Sequence, residues 1–176
     1  MRVSNRFATL ITLGIASFVT ITAAHAGSKA PPAPPVATIG KSDDSKWTPT
    51  TIEAATADAN KKVLATGKPA TITGEVVDVS CYLQLGKRGE AHIACGTKCI
   101  NNGQPIGVVD AKDNLYLLFA EEHHPRRDGQ VTLKDAFLPL LAKQVTVNGM
   151  MTQLKGGIRA LFVAAADLPR PEATQK

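Results

Sequence analysis

Between residues 70 and 165 the chain is cut into short β-branched runs by turn residues, and this punctuation limits the folds open to it. Ala70 to Ser80 alternates in part and is rich in Val, Ile and Thr, with Gly74 marking a bend or bulge. Pro105 to Val109 and Leu115 to Ala120 are apolar runs joined by Asp110-Ala-Lys-Asp-Asn114, which reads as a hairpin turn. Gln144 to Gln153, with Gly149 at a bend, and Ile158 to Ala165 form a closing pair across Gly156-Gly157. Between the third and fourth runs, Thr132 caps a short helix that reaches Leu141 and is interrupted near Pro139. Runs this short and this evenly spaced bury little on their own, so they must share one core.

The spacing therefore predicts a mainly β (α+β) chain. Five strands with a helix between the third and fourth give the order of an OB-like barrel, a small Greek-key fold. Residues 50–66 add an N-terminal helix: Thr50 or Thr51 caps it, Glu53 acidifies its first turn, and Gly67 and Pro69 end it. Its thin stripe of Ile52, Ala55, Ala59 and Val63 suits a helix laid on a larger body, with Trp47 as an anchor.

The first two barrel strands are separated by a longer insert, and the chemistry gathers there. Cys81 to Cys99 spans nineteen residues and holds all three cysteines and one of the four histidines. Thiolate and imidazole are the main soft and borderline metal ligands. With residues 89–100 read as a helix, His92, Cys95 and Cys99 fall within an arc of roughly 60°. Cys81 precedes them at a strand end. Cys81, His92, Cys95 and Cys99 are thus the candidate metal ligands. Such a Cys3His set suits zinc or copper, and an iron–sulfur cluster almost as well. The alternative is a disulfide from Cys81 to Cys95 or Cys99, worth roughly 3 kcal/mol for a loop of this length, with one thiol left over. That domain would bind a peptide, glycan or protein partner without metal. His123-His124, beside Glu121 and Glu122, offers a weaker metal site and reads first as a solvated loop. Met150-Met151 reads as core before thioether ligand.

Enzymatic signals are sparse. There is no Cys-x-x-Cys redox pair, no Cys-x-x-Cys-His haem attachment and no phosphate loop, so the chain reads as a binding or electron-transfer module before an enzyme. A thiol oxidoreductase would need a cysteine of lowered pKa beside Lys98 or Arg88. Net charge is +5, with Arg2 and Arg6 contributing two of those charges and the rest interspersed. That distribution does not make the basic stripe of a nucleic-acid binder.

The ends set the compartment. Residues 1–26 carry Arg2 and Arg6, an apolar stretch from Phe7 to Ala23, and Ala24-His25-Ala26 as a cleavage site, which reads as a secretory signal peptide with cleavage after Ala26. The expected location is periplasmic or secreted, with a metal ion and a periplasmic protein as partners, and the chain is not an integral membrane protein. Residues 27–48 read as a disordered Pro-rich linker, 49–169 as the OB-like domain and 170–176 as a flexible tail.

The strand with Thr73-Gly-Glu-Val-Val-Asp78 and the later Val145-Thr-Val-Asn-Gly149 resemble small exported bacterial OB-fold domains over about 100 residues. The Cys81-Tyr82…His92-x-x-Cys95-x-x-x-Cys99 segment resembles that of a group of uncharacterised exported bacterial proteins. The resemblance implies the fold and places the insert in a barrel loop; it brings no activity with it.

Overall fold

A computed structural model describes residues 33–41, 46–121, 133–153 and 156–168. The strands are β1 (Ala37–Ile39), β2 (Lys68–Asp78), β3 (Ile106–Asp110), β4 (Leu115–Ala120), β5 (Gln144–Gln153) and β6 (Arg159–Val163). β2 is long enough to serve two neighbours. It pairs antiparallel with β5 through Lys68–Glu75 and with β3 through Gly74–Asp78. β3 runs antiparallel to β4, β4 parallel to β6, and β6 antiparallel to the end of β5. The ring is closed, so its five strands form the OB-like barrel.

Closure brings backbones close. A β-carbon at Gly74, where β2 has both neighbours, would collide with the Val109 carbonyl, and one at Gly149 with the Phe162 carbonyl. Both glycines are there for close approach rather than for a turn. The barrel is filled by Val76, Val108, Val145, Val147, Leu161 and Val163, and Phe137 joins this core with no exposed surface. Phe137 lies on α5 (Leu133–Phe137), the helix between β4 and β5.

Three elements differ from the sequence reading. Within residues 27–48, whose composition predicts a linker, Ala37–Ile39 adds β1 parallel to β5 at Val145–Val147. Val36, Thr38 and Ile39 supply β-formers that the preceding Pro-rich run masks in a compositional reading. The N-terminal helix is two: α1 (Pro49–Ala54) and α2 (Asp58–Ala65). Thr48, not Thr50 or Thr51, caps α1, because Pro49 takes the first helical position, where its missing N–H costs nothing. Trp47 is the anchor expected of it: its indole Nε1 donates to the Leu64 carbonyl at 2.9 Å, and its ring meets Phe162 edge-on at 5.4 Å.

Candidate metal centre

The site grows out of the end of β2. Gly74 to Asp78 are all buried, and the strand stops at Asp78, whose carboxylate accepts from the Ser80 N–H at 3.0 Å and caps α3 (Val79–Leu85). Cys81 therefore sits in the first turn of a helix, not at a strand end as its apolar run suggested. Gly86, at φ 63°, ends α3 in the left-handed conformation that glycine adopts most readily.

The chain is then clamped back onto the barrel. Buried Glu75 accepts from the Gly89 N–H at 2.6 Å and from Arg88 Nε at 2.9 Å, while Arg88 Nη1 reaches Asp113 at 3.1 Å. Glu90–His92 form a single 3-10 turn, and α4 (Ile93–Asn101) follows. The helix expected over 89–100 thus starts later, because the His92 N–H bonds the Gly89 carbonyl at 2.9 Å in a tighter turn. Cys95 and Cys99 remain one helical turn apart on α4, with His92 at its N-cap. Ile100, 2% exposed, fixes α4 to the barrel core.

This folding brings the three thiols and His92 into one cluster. The sulfurs of Cys81, Cys95 and Cys99 lie within 4.8 Å of one another, and those of Cys81 and Cys99 are 3.8 Å apart. An ion with tetrahedral Zn–S bonds of about 2.3 Å spaces its sulfurs about 3.8 Å apart. Burial falls off along the cluster: Cys81 is buried, Cys99 intermediate and Cys95 exposed. His92 is buried, and Gly96 leaves room for its imidazole: a β-carbon there would meet the ring's Cδ2 at 3.4 Å and Leu141 at 2.9 Å.

Asp78, which the sequence pattern places on a strand, completes the cluster. It is fully buried. Its Oδ2 and the His92 Nε2 face each other at 3.8 Å, too far for a hydrogen bond, and neither has another partner. Leaving such groups unsatisfied costs roughly 1–3 kcal/mol each, more for a charge. The signal for Asp78 was its place three residues before Cys81 in an Asp-x-Ser cap, one helical turn from the thiol.

The carboxylate also sets the thiol chemistry. Asp78, then burial, then Cys99 push the Cys81 thiol up to about 12. Cys99 is lowered by Cys81, but burial and the Asp78 charge raise it, and the net shift is upward. Neither thiol is tuned to be a nucleophilic thiolate at neutral pH, which argues against a thiol oxidoreductase centred on them. Both would ionise on binding a cation, since metal displaces the proton from a ligand thiol.

The other sequence candidates lie apart from this cluster or outside the described residues. His123-His124 and Glu122 belong to the latter. Met150 is buried and Met151 packs against the core, as side chains filling the barrel. A separate cavity of about 360 Å³ lies between α1, α2 and the barrel, lined by Trp47, Thr51, Ala55, Val63 and Phe162, and it shares no residue with the thiol cluster. Among the described residues no helix is long and apolar enough to cross a membrane. Comparison with protein-family models, curated proteins and solved structures gave no match.

Proposed function

We propose that this chain is an exported, periplasmic metal-binding protein whose Cys81, His92, Cys95 and Cys99 hold a metal ion on the insert of an OB-like barrel, for metal handling or electron transfer. The observation that carries this reading is the convergence of three thiols within 4.8 Å beside a buried imidazole nitrogen that has no partner. Sulfur-rich donors favour Zn(II) or Cu(I) over hard cations. The exposed Cys95 gives an ion a way in, and the buried Cys81 and His92 give it a dry seat. The apolar and basic leader at residues 1–26 supports export.

Thermal unfolding with and without a strong chelator tests this. A ligand at one hundred times its Kd stabilises the folded state by about 2.7 kcal/mol. Chelation should therefore lower the Tm by several degrees, and Cys99→Ser should remove that sensitivity. Equal chelator response in Cys99→Ser and the parent, or none in either, contradicts the reading.

A second reading rests on the 3.8 Å contact between Cys81 and Cys99. Those thiols would pass two electrons and two protons to an exported thiol oxidant and become a disulfide that staples α3 to α4. The barrel would then bind a peptide, glycan or protein partner without metal. Its signature is a mass two protons light and one free thiol.

A further inference from the structure

The cluster contains two overlapping ligand groups rather than one. Cys81, Cys95 and Cys99 form the first; Asp78, Cys81 and His92 form the second, their ligand atoms also within 4.8 Å of one another. We propose that the second group holds a divalent cation of its own, with the Cys81 thiolate shared between that ion and the one on Cys95 and Cys99. The proposal rests on the reading of the thiols as metal ligands; it extends that reading to a two-ion centre and assigns His92 to the second ion, since His92 groups with Asp78 and Cys81 rather than with Cys95 and Cys99.

The orphaned atoms are the first argument. Asp78 has no exposed surface, His92 is 6% exposed, and among the described residues the two buried side-chain polar atoms without partners are the two that face each other. A cation between them satisfies both at once. Asp78 is already oriented for this. One of its carboxylate oxygens accepts from Ser80 as the α3 cap, which leaves the other aimed at the imidazole. His92 is likewise held, its ring seated over Gly96.

Charge is the second argument. With all three thiols ionised by bound metal, they and the Asp78 carboxylate would carry four negative charges. One divalent ion would leave two of them uncompensated where Asp78 and Cys81 are buried, and buried charge is tolerated only when paired. Two divalent ions neutralise the set. The donors also select the metal. One carboxylate oxygen, one imidazole nitrogen and one thiolate suit Zn(II), Co(II) or Ni(II); a pure Cu(I) site would shun the carboxylate, and Ca(II) or Mg(II) would shun the sulfur. Three protein donors leave a fourth position for water or an exchanging ligand.

Anaerobic titration of the metal-free chain with Co(II) decides the matter, with native mass spectrometry for the count and absorption for sulfur-to-cobalt charge transfer. The parent should take up two Co(II). Asp78→Asn should take up one and keep the charge-transfer band, since asparagine caps a helix as well as aspartate does. His92→Gln should lose the same ion, and circular dichroism should show both variants folded. A count of one in the parent overturns the two-ion centre and leaves the thiol site standing, as does a count of two that Asp78→Asn and His92→Gln leave unchanged. A count of zero overturns both. A parent count below two overturns the centre whatever the variants do, and if one variant fails to fold the other still assigns the second ion.

Discussion

Cys81 occupies the most constrained position in the cluster: it is buried, 3.8 Å from Cys99, and beside a carboxylate that pushes its thiol up to about 12. A thiol raised above its ordinary 9.0 favours folding while it stays protonated. That contribution is complete below pH 9 and is lost as pH climbs toward 12. Metal-free protein should therefore lose Tm between pH 9 and 11 more steeply than Cys81→Ser, whose hydroxyl does not titrate there. Equal slopes would refute the environment assigned to Cys81. Exposure makes a separate prediction for the three thiols. In the metal-free chain a maleimide should modify Cys95 first and Cys81 last, as peptide mapping would record. Modification of Cys81 ahead of Cys95 would mean that α3 and α4 do not pack as described.

At the scale of elements, the barrel is what holds the ligand-bearing helices in place. Phe137 on α5 contributes to the same core as Ile100 on α4 and Val76 on β2. Phe137→Ala should cost about 3–5 kcal/mol in denaturant unfolding, the range for a large aromatic removed from a closed core. Leu83→Ala, at a side chain 67% exposed on α3, should change stability by less than about 0.5 kcal/mol. A Phe137→Ala cost below about 1 kcal/mol would mean that this core is not closed. Element identity explains which features were legible beforehand. The hairpin around Asp110 was readable because Asp110 accepts from the Lys112 and Asn114 N–H groups at 2.8 and 2.9 Å, an Asx turn written in its residues. β5 was readable at both ends from its β-branched pattern. Strand β1 was not, because three residues between prolines and glycine carry too little pattern, and its pairing with β5 is a tertiary fact. The break between α1 and α2 at Ala55–Ala57 was hidden by alanines, which favour helix locally.

For the molecule as a whole, ring closure decides which residues meet. Strand count and helix position were enough to name an OB-like barrel, because few topologies close five short strands around one core. Cys95 and Cys99 could be placed together from helical spacing alone. Cys81 joined them only because β2 ends at Asp78 and the Glu75 clamp on Arg88 and Gly89 returns the chain toward α3, a path that no local pattern encodes. The cap at Asp78 is written in its Asp-x-Ser sequence, but only the fold turns its free oxygen toward His92.

Native mass spectrometry with metal analysis, on the chain recovered from the cells that make it, tests the metal site most simply. Bound metal is expected at one equivalent or more, lost on denaturation and reduced in Cys99→Ser. A chain without metal, lighter by two protons and with one free thiol, would contradict it and make the cluster a disulfide staple.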